Sequence, residues 1–402
     1  MKKKKIFIPL FILIIIFFHS ICFASSNEPS NLSCGSAILL DSKTNKILFG
    51  KNEQQKMYPA SITKIMTAIL TLENCTLNDK IVSSYNAVMS IPDGYSTAKI
   101  QIDEELTIEQ LLQLLLLHSA NDAANVLAEH VGGSIESFVS MMNTKANELG
   151  LKNTHFTNTF GMHDDNHYST AYDLAILMKY CMKDENFRKI CGLASCAIPV
   201  TNKFDTRLYT STNELIVPNS NSYYSYTTAG KTGFTSQAKH CLVSTAYKND
   251  LELICVVLGV DDSYTRFSES KQLFEYGFQN YSIQNILEKD DIATNITIDN
   301  GSKDTKYLDL IVSDNISALL KNNESIANLT PEIKINNYVS APIKEGDIVG
   351  EISYTIDGNV YRSSLLASHD VQESEILKFV FYIGLGILLC VISIIILSKN
   401  KE

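Results

Sequence analysis

The chain has 402 residues, 45% of them hydrophobic, and a formal charge of −10. Such an acidic body argues against nucleic acid as a partner, because a phosphate backbone is held by clustered cations. It also means that any bound carboxylate needs a local positive trap.

Residues 1–24 open with four lysines at positions 2–5, continue as an apolar run from Ile6 and end in Cys22-Phe23-Ala24. This is the layout of a secretory signal peptide cleaved after Ala24, and Pro9 and His19 weigh against an uncleaved anchor. Loss of the four lysines takes the charge from −10 to −14. Next comes Ser61-Ile62-Thr63-Lys64, with apolar residues at 62, 65, 66, 69 and 70. That spacing predicts a helix that starts at Ser61 and carries Lys64 on the same face. A serine hydroxyl is a weak nucleophile until a base removes its proton, and a neutral lysine one turn away can do so. Burial and a second cation, for which Lys231 is the candidate, would lower the lysine pKa.

Residues 108–118 and 123–131 read as two apolar helices with Ser119-Ala120-Asn121 at their junction. From there a hydroxyl and an amide can point into a cleft, although Ser119, Asn121 and Asp122 are also good helix caps. His163 and His167 form an H-x-x-x-H pair in a Gly/Asp/Asn-rich loop. Such pairs bind metal best from a helix face, so His167 is read as a hydrogen-bonder that orders the loop, and no metal or other cofactor is expected. Nine cysteines leave seven once Cys22 and Cys390 are set aside as signal and membrane residues. Seven cannot all pair; Cys191 and Cys196 are close enough to bridge, and a reduced, buried state is equally compatible.

Residues 226–235, 240–247 and 251–260 read as an antiparallel meander with a tight turn at Lys248-Asn249-Asp250. The first strand carries Lys231-Thr232-Gly233, which offers a cation and a hydroxyl to a carboxylate and a glycine that permits close backbone approach. From about 291 to 367 the segments become short, β-rich and separated by Asn, Asp, Ser and Gly, with Asp357-Gly358 as a hairpin signal. Finally, residues 379–397 form an uncharged apolar run flanked by Lys378, Lys399 and Lys401. At about 1.5 Å per residue it spans the roughly 30 Å hydrocarbon core, and the basic end favours a cytoplasmic C-terminus.

Alone, each short motif is close to noise: S-x-x-K also occurs at Ser236/Lys239, Ser268/Lys271 and Ser398/Lys401. Together and in this order, Ser61-x-x-Lys64, Ser119-x-Asn121 and Lys231-Thr232-Gly233 resemble the motif triplet of penicillin-binding proteins and serine β-lactamases. Tyr58-Pro59-Ala60-Ser61, residues 146–156, residues 161–173 with His167-Tyr168-Ser169-Thr170-Ala171, and Lys231-Thr232-Gly233-Phe234-Thr235 narrow the resemblance. They point to low-molecular-mass penicillin-binding proteins of the serine D-alanyl-D-alanine carboxypeptidase family, over residues 33 to 367.

The resemblance implies an α+β, penicillin-binding/serine β-lactamase-like transpeptidase fold, with helices packed on an antiparallel sheet. It implies a catalytic domain at 33–283, a small β-rich domain at 291–367 and a transmembrane helix at 379–397. Ser61 would be the nucleophile, Lys64 the general base, and Ser119 with Asn121 the second element of the proton relay, Asn121 also binding a substrate amide carbonyl. Lys231 and Thr232 would hold the terminal carboxylate, and the N–H groups of Ser61 and Phe234 the oxyanion. Arg266 would be a second cation for the carboxylate or a structural ion-pair partner. The implied substrate is a peptidoglycan stem peptide ending in D-Ala-D-Ala, with β-lactams acylating the same serine on the outer face of the cell membrane. Two departures stand out. Lys239-His240 replaces a usual small residue, and no E-x-x-L-N glutamate occurs between residues 150 and 200. The second favours a carboxypeptidase over a β-lactamase, the alternative enzyme; a non-catalytic sensor is the other alternative.

Overall fold

The structure is a computed structural model that describes residues 28–399. The segment read as a signal peptide, residues 1–24, lies outside the described residues. The central element is a five-stranded antiparallel sheet, in spatial order Ile47–Lys51, Ser36–Asp41, Leu251–Val260, Lys239–Lys248 and Thr227–Thr235. The last three strands are the expected meander. Asn249 and Asp250, at φ 50° and 62°, make its tight turn, which needs two residues that tolerate the left-handed region.

Two-residue periodicity makes this sheet a two-sided core. Ile38, Leu40, Ile254, Val256 and Leu258 face one cluster, while Ala37, Leu39, Leu253, Cys255 and Val257 face the other. Helices Lys64–Asn74, Ile108–Leu116, Asn121–Gly132 and Ala171–Cys181 contribute to the first face, and helix Thr265–Asn280 covers the second. Each fully buried large aliphatic side chain in these layers is worth about 1.5–3 kcal/mol. Local chemistry fixes the helix starts: Thr107 and Gln110 form a reciprocal capping box, and Thr170 caps through Asp173 N.

Strand Tyr281–Leu287 leaves this unit and pairs with Ile316–Lys321. A second five-stranded sheet follows, in the order Ile292–Thr297, Tyr307–Val312, Asn359–Ala367, Ile348–Ile356 and Glu332–Ile335. Its separate core is built on Leu308, Leu310, Val312, Ile352 and Leu365. Asp357 and Gly358 turn the expected hairpin at φ 50° and 78°. Across the join, Lys46 ion-pairs with Asp357 at 2.7 Å and donates to the Leu319 carbonyl at 3.3 Å.

Helix Glu375–Lys399 carries an apolar stretch, Lys378–Ile396, long enough to cross a bilayer and unburied by the rest of the chain. Its entry is stapled to the β-rich unit, since Ser302 N donates to Gln372 O at 2.7 Å and Ser374 N to Asn300 O at 2.8 Å. The cysteines of residues 28–399 are all free thiols, Cys191 and Cys196 included.

Candidate active site

Ser61 sits in a short 3-10 helix, Ala60–Thr63, that runs into helix Lys64–Asn74. Its entry is strained: Ala60 adopts φ 47°, a conformation that non-glycine residues hold only where surrounding structure enforces it. The enforcing neighbour is Gly161, at φ 90°, where a Cβ would lie 1.8 Å from the Ala60 carbonyl oxygen. Lys64 is fully buried, with Nζ 2.9 Å from Ser61 Oγ and 3.0 Å from the Phe160 carbonyl oxygen. Desolvation, followed by the charge of Lys231, holds the Lys64 ammonium well below its ordinary pKa, with Asp122 opposing.

Ser119 lies between helices Ile108–Leu116 and Asn121–Gly132 at φ 64°. It caps neither helix: the N-cap position belongs to Ala120, with no side-chain cap. Asp122 instead accepts from Ala98 N and Ile100 N, at 3.0 Å each. Asn121 is buried in the wall of the cleft, and its Oδ1 has no hydrogen-bond partner among the described residues.

Lys231-Thr232-Gly233 lies on the edge strand Thr227–Thr235. Lys231 is fully buried, its Nζ donating to Thr232 O at 2.9 Å, and burial first, with Arg266 adding to it, pushes its pKa down to about 7. Thr232 Oγ1 is 2.6 Å from Thr212 Oγ1. A Cβ on Gly233 would lie 3.1 Å from Ser61 N and 2.9 Å from Pro59 O, so only glycine lets this strand close on the serine. Arg266 Nη1 donates to the Gly233 carbonyl at 3.4 Å and lies 3.4 Å from His240 Nδ1. Among the described residues Arg266 has no carboxylate within ion-pair distance, and its Nε is unpartnered. His240, one of the two residues that depart from the resemblance, stacks on Phe234 with centroids 4.4 Å apart, and Lys239 pairs with Asp261 at 2.7 Å.

A cavity of about 710 Å³ joins these parts, and Ser61, Ser119, Asn121, Thr232, Gly233, Phe234 and Arg266 all open on it. Lys64 and Lys231 lie beneath its wall. His167 is buried, 2.8 Å from Thr63 Oγ1, while His163 packs edge-on against Tyr58 with centroids 4.6 Å apart. Among the described residues no three His, Cys, Asp or Glu side chains gather as a metal site would require.

The sequence reading missed Asn158. Its Oδ1 accepts from Gly161 N at 2.7 Å and Met162 N at 2.9 Å, and its Nδ2 donates to Met162 O at 2.9 Å. It thereby shapes the turn that presents the Phe160 carbonyl to Lys64; an asparagine just ahead of a Phe-Gly turn was the available signal. Asn158→Ala takes the acceptor from three N–H groups, those of Phe160, Gly161 and Met162, at about 1–3 kcal/mol for each that is buried. It is expected to lower the melting temperature and slow acylation by fluorescent penicillin at least tenfold. Unchanged acylation in a folded variant would remove Asn158 from the support of Lys64.

A serine held against a lysine whose ammonium burial disfavours, with an unpartnered asparagine in the same cleft wall and a glycine-gated edge strand beside it, defines a serine acyl-transfer enzyme of the penicillin-binding type. The chain belongs to the D-alanyl-D-alanine carboxypeptidase family: that family's model matches residues 23–262, and the model for the C-terminal domain of penicillin-binding protein 5 matches residues 281–373. The D-alanyl-D-alanine carboxypeptidase DacF of Bacillus subtilis is 32% identical over 351 residues, 86% of this chain and 87% of that one. Penicillin-binding protein 5 from Haemophilus influenzae is similar in structure, with a TM-score of 0.65 at 28% identity over 86% of this chain and all of that one. The Streptomyces K15 DD-transpeptidase aligns with a TM-score of 0.58 at 29% identity, over 63% of this chain and 99% of that one.

Proposed function

We propose that Ser61 attacks the carbonyl between the two terminal D-alanines of a peptidoglycan stem peptide, so that this serine-type D-alanyl-D-alanine carboxypeptidase works through an acyl-enzyme on that residue. The observation that carries the reading is the 2.9 Å approach of Lys64 Nζ to Ser61 Oγ, with Lys64 fully buried. A neutral amine there takes the Ser61 proton, and Ser119 with Lys64 returns it to the departing D-alanine. The N–H groups of Ser61 and Phe234 receive the oxyanion, a role supported by the close approach of Gly233 to Ser61 N. Asn121 offers its amide to the acyl part of the substrate. Thr232 and Arg266 take the terminal carboxylate, with Lys231 supplying positive potential from beneath. Water then hydrolyses the ester.

β-Lactams acylate Ser61 and leave slowly, since among the described residues no glutamate lines the cavity to activate a deacylating water. The test is D-alanine release from diacetyl-Lys-D-Ala-D-Ala by the full chain in detergent. Covalent penicillin labelling without release would point to an endopeptidase or a sensor.

Residues 33–283 form the catalytic domain in this reading, and 291–367 the β-rich domain, which holds the cleft off the bilayer. Helix Glu375–Lys399 is the single-pass anchor, with the catalytic domain outside the cell. The stapled entry at Gln372 and Ser374 supports a fixed rather than loosely tethered mounting. Deleting residues 379–402 is expected to move the protein from carbonate-washed membranes to the soluble fraction; a truncated chain that stayed in the pellet would sink the anchor.

A further inference from the structure

The cavity beside Ser61 is bipolar. Arg266 and Thr232 open on it, and so does a turn at residues 92–95 through residues 93–95. Tyr95 N donates to Pro92 O at 3.4 Å, and Gly94 supplies the positive φ, 87°, that a type II turn needs at its third position. Asp93 is the exposed corner of that turn. Turn aspartates usually bond a nearby backbone N–H. Among the described residues the carboxylate has no hydrogen-bond or ion-pair partner, and among them Asp93 is the one acidic residue lining the cavity.

The turn is pinned to the second motif. Asn121 N donates to Ser96 O at 2.9 Å, His118 Nε2 lies 3.2 Å from Thr97 O, and Asp122 holds Ala98 N and Ile100 N. The Tyr95 ring meets Phe160 edge-on at 6.3 Å, above the carbonyl that binds Lys64. Asp93 is therefore held on the Asn121 side, where the acyl part of the peptide lies, away from the cations that take the terminal carboxylate.

We infer that Asp93 forms a subsite for a side-chain ammonium on the residue preceding D-alanyl-D-alanine, so that the enzyme prefers stem peptides whose diamino acid keeps its side-chain amine free. This rests on the carboxypeptidase reading above. A peptide with an ammonium on one side of the scissile bond and a carboxylate on the other is aligned by both charges of the cavity, which places its carbonyl at Ser61. Neither charge takes part in the bond that breaks, so the effect lies in binding and appears mainly in KM.

The test compares Nα-acetyl-Lys-D-Ala-D-Ala, with a free ε-ammonium, and its Nα,Nε-diacetyl counterpart, using the full chain in detergent. The parent is expected to favour the free amine about fivefold in kcat/KM, the order of one partly exposed ion pair, and less at high salt. Asp93→Asn brings the ratio close to one, and Asp93→Lys drives it below one. A ratio near one in the parent, or one that persists in Asp93→Asn, would overturn the subsite while leaving the carboxypeptidase intact. Release from neither peptide by a parent that still binds penicillin covalently would overturn the carboxypeptidase reading and the subsite with it.

Discussion

Ser61→Ala is expected to abolish both D-alanine release and covalent penicillin labelling, with a loss of at least about 10⁴-fold in kcat/KM. The variant retains the cavity, the Thr232 hydroxyl and Arg266, so it should still bind a D-Ala-D-Ala peptide reversibly. What it lacks is, among the described residues, the only hydroxyl within hydrogen-bond distance of Lys64 Nζ. Ser119 also opens on the cavity, but no hydrogen bond joins it to either buried lysine in the described residues, which leaves it without a base of its own. The folding cost should be small, because the lost hydroxyl bonds to Lys64 alone. A melting temperature close to that of the parent would show that the loss is chemical. A Ser61→Ala protein that still carried labelled penicillin through denaturing electrophoresis would require a different nucleophile.

Much of this architecture is legible in the sequence because it is local. The meander at 227–260 announces itself through alternation and an Asn-Asp turn, and the helices after Ser61 and before Ser119 through apolar spacing. Strands Ser36–Asp41 and Ile47–Lys51 were not anticipated; they pair with each other, but the first joins the central sheet by pairing with Leu251–Val260, more than 200 residues away. The pairing of Tyr281–Leu287 with Ile316–Lys321 is likewise set by tertiary contact, not by either segment alone. At the site, residue types and order mark Ser61, Lys64, Ser119 and Lys231, because the chemistry constrains the side chains. Asn158 left a trace in the Phe-Gly turn that follows it, whereas Thr212 and Asp93 matter through their position on the cavity, which a single sequence does not show.

Lys64→Met is expected to lower kcat/KM by about 10²–10⁴-fold, the range supplied by a positioned general base. The parent should show a bell-shaped pH profile for kcat/KM. On the acid side, protonation of Lys64 removes the base; that limb lies well below the ordinary lysine value of 10.5 because burial, and then Lys231, disfavour the ammonium. On the alkaline side Lys231, with a pKa pushed down to about 7, loses the charge that helps hold the substrate carboxylate. Lys64 senses the charge of Lys231, whereas burial and Arg266 set the shift of Lys231, so removing Lys64 acts on the acid limb. In Lys64→Met the residual activity should lose the acid limb and keep the alkaline one. Stability follows from the same shift. Because the pKa of Lys64 is lower in the folded chain than in the unfolded one, unfolding takes up a proton, and this lysine costs more stability as pH falls below 10.5. The melting temperature of Lys64→Met relative to the parent should therefore improve between pH 10 and pH 7. An acid limb that survived in Lys64→Met, or a melting difference independent of pH over that window, would mean that Lys64 is not the depressed base beside Ser61.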